Sequence, residues 1–103
     1  MQSITASELM RRLGDGSPPF LLDVREPDEV AEDGAIAGST NVPMRDVRHR
    51  LDEIPTDRDI VVICHLGVRS EYVTRGLNAL GYGRAVNLEG GMNAWLRAIS
   101  ATR

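Results

Sequence analysis

The chain contains one cysteine, Cys64, and the residues around it are of the types that activate a thiol. The aliphatic run IVVI precedes it and the loop HLGVRS follows it, where Gly67 allows a backbone turn that other residues resist. If the N–H groups of residues 65 to 70 converge on the Cys64 sulfur, they stabilise a thiolate or a persulfide, aided by the N-terminus of the next helix. We therefore expect the pKa of Cys64 to lie below the ordinary thiol value of about 8.5, without need of a general base. The alternative is a packing residue, the commoner role of a lone cysteine.

Two other side chains near Cys64 are candidates for the same chemistry. Arg69 lies five positions after Cys64 and is a permanent cation, able to bind the sulfonate end of a thiosulfate-like donor or to screen a persulfide. A solvated arginine in the first turn of a helix is the alternative. His65 has the same capacity when protonated, but no carboxylate can be identified from the sequence to hold its charge, and His49 is expected on the surface.

Four short runs between helical patterns are typical of strands. They are FLLDV at 20–24, STNVP at 39–43, DIVVIC at 59–64 and RAVNL at 84–88. The second and third gaps between them are long enough for a crossover helix. This favours an α/β fold with a mainly parallel central sheet of four to five strands and helices on both faces. The continuous apolar run IVVI indicates a central strand, and Cys64 lies at its carboxyl end, where open α/β sheets bind ligands.

Five helices are predicted around this sheet. Thr5 and Glu8 have the spacing of a capping box, and the helix they begin ends at Gly14. A second helix starts at Pro27 and ends at Gly34. The remaining three are expected over 44–53, 69–80 and 91–99, the last of them burying Met92, Trp95, Leu96 and Ile99.

Length and composition indicate one compact domain spanning residues 1–103. The net charge of −3 and the scattered arginines, which make up all 12 basic residues, argue against a nucleic-acid or anionic-membrane surface. One cysteine cannot form an internal disulfide, which agrees with a reducing compartment. The start, MQSITASELM, lacks the features of a secretory signal, and no apolar run reaches the length of a membrane helix, so we expect a cytoplasmic protein.

Four segments in order along the chain resemble those of a known family. They are LLDVREPDEV, GAIAGSTNVP, CHLGVRS and NLEGGMNAW, and together they resemble the single-domain rhodaneses, which are sulfurtransferases. The resemblance implies that Cys64 is the persulfide-bearing nucleophile. It implies that Asp23 and Arg25 are buried or half-buried supports and that Gly90 and Gly91 form the turn into the last helix. The substrate-binding loop it implies consists of His65, Leu66, Gly67, Val68, Arg69 and Ser70.

The implied reaction transfers a sulfur atom from a small donor such as thiosulfate to a thiol or cyanide-like acceptor, with no metal and no cofactor. A sulfur-carrier protein or a cysteine desulfurase is a further expected partner. Two alternatives remain open: a non-catalytic binding or regulatory module, and a cysteine phosphatase of the same fold. In such phosphatases the arginine lies six positions after the cysteine, whereas Arg69 lies five after Cys64, which favours a smaller cradle suited to one sulfur atom.

Three residues depart from the commonest family pattern. Ala35 and Ala37 stand where a histidine and a proline are more usual, which bears on the local shape of that loop. Leu66 stands where the residue is more often small or polar. An apolar side chain at this rim is compatible with contact to a protein rather than to a small, fully hydrated donor.

Overall fold

The structure is a computed structural model and describes residues 1–102. Its strands are β1 (Ser3–Ile4), β2 (Phe20–Asp23), β3 (Thr40–Asn41), β4 (Ile60–Ile63) and β5 (Ala85–Leu88). Its α-helices are α1 (Ala6–Gly14), α2 (Pro27–Asp33), α3 (Val68–Ala79) and α4 (Gly91–Ala101). Two short 3₁₀ helices, Met44–His49 and Leu51–Glu53, lie between β3 and β4.

The five strands form one sheet in the order β1-β5-β4-β2-β3, and every pair is parallel. β4 lies at the centre, paired with β2 on one side and with β5 on the other. All four residues of β4 are buried, as its uninterrupted apolar sequence requires of a strand covered on both faces. The predicted α/β class with a mainly parallel sheet is therefore confirmed.

Alternate side chains of the strands enter two separate cores, one on each face of the sheet. On one face, Val62 packs with Val73 and Leu77 of α3 and with residues of the 3₁₀ region. On the other face, Val61 and Ile63 pack with side chains of α1 and α4. Both faces of the sheet are therefore covered by helices. The carboxyl ends of the strands are left for a site.

The helix predictions differ from the structure in two details, and one of their capping signals is confirmed. The region 44–53 is not one helix, because Arg50 has φ −129° and ψ 29°, which divides it into the two 3₁₀ segments. Leu96 was expected in the core, but its side chain is 47% exposed because it faces away from the sheet. The capping box of α1 is confirmed, since Thr5 Oγ1 accepts from the Glu8 N–H and the Glu8 carboxylate accepts from the Thr5 N–H.

Among residues 1–102, none of the helices combines the length and the apolar character that crossing a bilayer would need.

Candidate active site

Cys64 directly follows the central strand β4 and lies at the carboxyl edge of the sheet. Only 1% of the residue is exposed, and it contacts the core on the α3 side. The chain then turns through residues 65–67 into α3, and Gly67 is the residue that precedes the helix. Its φ of +95° is strained for any other residue type, so the glycine is required by the turn.

Hydrogen-bond donors of this loop face the Cys64 sulfur. The Gly67 N–H donates to Sγ over 3.1 Å, and the Ser70 hydroxyl lies 3.2 Å from Sγ. Burial raises the pKa of the Cys64 thiol, but the Ser70 hydroxyl and the N–H groups of Ser70, Gly67 and Leu66 outweigh it, so the pKa lies below its ordinary value. The loop therefore stabilises the thiolate through fixed dipoles.

A small cavity of about 130 Å³ opens above the sulfur. Its lining consists of Cys64, His65, Leu66, Val68 and Arg69. Leu66 and Val68 are 56% and 74% exposed, so the mouth of the cavity is apolar on that side. His65 is also exposed, and it forms no side-chain hydrogen bond within residues 1–102.

Arg69 reaches the rim of the cavity but is already engaged by a carboxylate. Its Nη1 and Nη2 atoms donate to Glu29 Oε1 and Oε2 of α2 over 2.6 and 2.8 Å. The Glu29 carboxylate raises the pKa of Arg69, while the Arg69 guanidinium lowers the pKa of Glu29 to about 2. Sequence reasoning missed Glu29, although it lies in the segment LLDVREPDEV and in the acidic first turn of α2.

The N-terminus of α4 anchors the loop from the opposite side. The Met92 N–H donates to the Cys64 carbonyl over 2.8 Å, and the Asn93 N–H donates to the His65 carbonyl over 3.1 Å. This approach requires Gly91, because a Cβ there would lie 2.3 Å from the Cys64 carbonyl oxygen. The carbonyls of residues 64 and 65 thus accept from α4, while the amides that follow them face the sulfur.

Asn87 is a second contributor that sequence reasoning missed. It lies in β5 and is 6% exposed, and its Nδ2 donates to the Gly67 carbonyl over 3.2 Å. A polar side chain at a buried position of an otherwise apolar strand is the signal that would have identified it.

Asp23 and Arg25 form a buried ion pair at the carboxyl end of β2, beside the strand that carries Cys64. The Arg25 Nη2 atom lies 2.7 Å from Asp23 Oδ2 and donates to the Gly34 carbonyl over 2.8 Å. The Asn41 amide donates to the carbonyls of both residues. Asp23 and Arg25 do not line the cavity, and this placement agrees with a supporting function rather than with contact to substrate.

The site combines a thiol of lowered pKa, a cradle of N–H and O–H donors and a mouth large enough for a few atoms. Such a cradle binds an anionic sulfur, either the thiolate or the terminal sulfur of a persulfide. Within residues 1–102 no three His, Cys, Asp or Glu side chains come together in a way that would bind a metal ion. The chemistry available to these residues is that of a thiolate nucleophile.

A parallel five-stranded sheet with a cradled cysteine at the end of its central strand defines a rhodanese-like domain. Residues 5–98 match that family, and the chain belongs to it. The predicted resemblance to the rhodaneses is confirmed.

Three relatives illustrate the family. A protein named sulfurtransferase from Allochromatium vinosum is 40% identical over 97 residues, covering 94% of this chain and 90% of the relative. A rhodanese-like domain protein from Staphylococcus aureus is 38% identical with a TM-score of 0.87, covering 92% of this chain and 91% of that structure. A putative sulfur carrier protein, YrkF, from Bacillus subtilis is 36% identical over 75 residues, covering 73% of this chain and 40% of the relative. The family and these names support sulfur transfer as the general activity.

Proposed function

We propose that the protein is a sulfurtransferase that carries a sulfane sulfur as a persulfide on Cys64, taken from a donor such as thiosulfate. The observation that supports this most strongly is the pair of donors on the sulfur, the Gly67 N–H at 3.1 Å and the Ser70 hydroxyl at 3.2 Å. They stabilise negative charge on sulfur both before and after the transfer. A cavity of about 130 Å³ provides space for the added sulfur atom.

The reaction has two displacement steps and no net oxidation. In the first, the Cys64 thiolate attacks the outer sulfur of thiosulfate, the sulfur–sulfur bond of the donor breaks, and sulfite leaves with the electron pair. In the second, an acceptor thiolate or cyanide attacks the terminal sulfur of the persulfide. The bond from that sulfur to Sγ then breaks, and the Cys64 thiolate is restored.

We propose further that at least one of the two molecules that exchange sulfur with Cys64, the donor or the acceptor, is a protein. The exposed apolar side chains of Leu66 and Val68 at the mouth favour a protein surface over a hydrated ion. The relative named as a putative sulfur carrier supports the same interpretation. We place this exchange in the cytoplasm, because a lone thiol acting as a sulfur carrier must remain reduced between turnovers.

Mass spectrometry of the intact protein after exposure to thiosulfate tests the proposal. The wild type is expected to gain the mass of one sulfur atom, and cyanide should remove it with formation of thiocyanate. The Cys64→Ser variant is the matched control and should gain nothing. The same measurement with persulfides of small thiols shows whether thiosulfate is the preferred donor.

Two results would replace this proposal with one of its alternatives. If no donor adds sulfur to the wild type, the protein is better described as a binding module. If it hydrolyses an aryl phosphate and takes no sulfur, it is a phosphatase. The engagement of Arg69 by Glu29 disfavours the phosphatase, because the guanidinium is then not free to bind the oxygens of a transferring phosphoryl group.

A further inference from the structure

A groove of about 920 Å³ lies between the first 3₁₀ helix and α3, and its Tyr72 is one turn of α3 from Val68, which lines the Cys64 cavity. Its walls include Met44, Arg48, Tyr72, Arg75 and Leu80. We propose that this groove is the docking site for an acidic, amphipathic segment of the protein that exchanges sulfur with Cys64. The inference rests on the proposed function, because it assigns a surface to the partner of that reaction.

An exposed apolar stripe connects the groove to the loop that follows Cys64. Val68, Tyr72, Gly76 and Leu80 follow one another at intervals of four residues, so they share one face of α3 and its end. Val68, Tyr72 and Leu80 are 74%, 71% and 61% exposed, which is unusual for large apolar side chains on one helix face. Val68 also lines the Cys64 cavity, so a segment lying on this stripe ends at the sulfur.

The charge of the groove specifies an acidic occupant. Three arginines line it, Arg45, Arg48 and Arg75, and none of the twelve lining residues is acidic. Arg45 pairs with Glu26, Arg75 lies 3.7 Å from Glu71, and Arg48 forms no ion pair within residues 1–102. The whole chain carries a net charge of −3, so this basic surface is local. Carboxylates flanking an apolar anchor are the complementary chemistry.

Gly76 is the third observation that favours a partner here. A glycine inside a helix costs about 0.5–1 kcal/mol relative to alanine, yet a Cβ at this position would meet nothing within 4 Å. The packing of the chain itself therefore does not require a glycine. Its effect is to leave the centre of the groove open, which allows the backbone of an incoming segment to approach α3 closely.

Fluorescence anisotropy with a synthetic probe tests the docking site. The probe is a labelled helical peptide with leucines along one face and glutamates flanking them, and the control probe has lysine in place of each glutamate. The double variant Arg48→Glu, Arg75→Glu is expected to bind the glutamate peptide about tenfold more weakly than the wild type. The matched control is Arg11→Glu, Arg97→Glu, which reverses two exposed arginines of α1 and α4 on the other face of the sheet and should change affinity by less than about twofold.

A further variant separates binding from folding. Gly76→Leu fills the groove but replaces a poor helix former with a good one, so the protein should be at least as stable in urea while losing about tenfold or more in peptide affinity. Binding is measured on the wild-type protein without any sulfur donor. The result is therefore independent of whether thiosulfate adds sulfur to Cys64. Failure of peptide binding would contradict the docking site alone, and failure of sulfur transfer would contradict the proposed function alone.

Several results would overturn the docking site. They are equal binding of the lysine peptide, an equal loss in the control variant, or unchanged affinity in Gly76→Leu. Tighter binding of a single-stranded RNA oligonucleotide than of the glutamate peptide would assign the groove to nucleic acid. Dimers in sedimentation velocity that Gly76→Leu disperses would assign it to a second copy of the chain.

Discussion

At the scale of single residues, hydrogen-bond donors and not a neighbouring base lower the pKa of Cys64. His65 is exposed and forms no hydrogen bond with the sulfur, whereas Gly67 and Ser70 both do. Burial disfavours the thiolate, so each donor has to offset part of that cost before it lowers the pKa at all. Removing one donor should therefore have a measurable effect on reactivity.

The rate of Cys64 alkylation by iodoacetamide tests this balance. For the wild type, the pH midpoint of the rate should lie below the ordinary thiol pKa. In Ser70→Ala the pKa should rise, and the rate at neutral pH should fall about fivefold, the equivalent of one hydrogen bond of about 1 kcal/mol. Ser100→Ala, at an exposed position of α4, is the control and should leave the profile unchanged. A wild-type midpoint at or above the usual thiol value contradicts the cradle.

The pairing of Glu29 with Arg69 determines how much positive charge an anionic donor meets. The pKa of Glu29 is about 2, below its ordinary 4.5, so the pair is present at neutral pH and is lost only as the pH falls towards 2. Glu29→Gln should free the guanidinium and raise kcat/KM for thiosulfate about threefold to tenfold, with little change for a neutral trisulfide donor.

Glu32→Gln removes an exposed carboxylate from the same helix and serves as the control for charge alone. If Glu29→Gln instead slows transfer from both donors, the carboxylate is needed to position Arg69 and does not act by neutralising it. Steady-state rates with the two donors distinguish these results.

At the scale of elements, the loop of residues 65–67 connects β4 to α3 and is hydrogen-bonded by the N-terminus of α4. Two N–H groups of α4 donate to the carbonyls of Cys64 and His65, and Gly91 makes the close approach feasible. The N–H groups in the first turn of α4 have no partner within the helix, and the carbonyls of Cys64 and His65 supply one. Disturbing this contact should affect stability and thiol reactivity together.

Gly91→Ala is the variant that disrupts the contact between α4 and the loop. The residue has φ +57°, and its Cβ would lie 2.3 Å from a backbone oxygen, so the free energy of unfolding should fall by about 2 kcal/mol or more. Urea denaturation measures the loss. Gly14→Ala is the control, because a Cβ there meets nothing within 4 Å and φ is not positive, so its stability should be equal or higher. An unchanged urea midpoint for Gly91→Ala would show that α4 can shift to accommodate the Cβ without loss of stability.

The sequence predicts most elements because their signals are local. The capping box of α1 and the apolar run of β4 each lie within a few residues. It does not predict β1, because two residues carry no period, and that strand exists only through pairing with β5. The sequence also does not identify the partners of Glu29 and Asn87, since each contact joins residues 20 or more positions apart.

At the scale of the whole molecule, one polar cluster connects the sheet to the loops at its carboxyl edge. Asp23 ends β2, Arg25 follows it, and together they bind the Gly34 carbonyl and the Asn41 amide. Asp23 and Arg25 are 1% and 0% exposed, so the pair is embedded in the fold. The resemblance implies such a support, and its burial means that removing one charge alone would leave the other unpaired in the core.

Removing only the cation should be severe, because it leaves a buried carboxylate without its partner. Arg25→Met is expected to lower the free energy of unfolding by about 3–5 kcal/mol, a large part of the 5–15 kcal/mol typical of a domain. The double variant Asp23→Asn, Arg25→Met removes both charges and should recover part of this loss, because the desolvation cost disappears with the pair. Arg50→Met breaks an exposed pair with Glu53 and should cost less than about 1 kcal/mol. Urea denaturation of the wild type and the three variants measures their free energies of unfolding. A double variant no more stable than Arg25→Met would show that the backbone bonds of the cluster matter more than its charges.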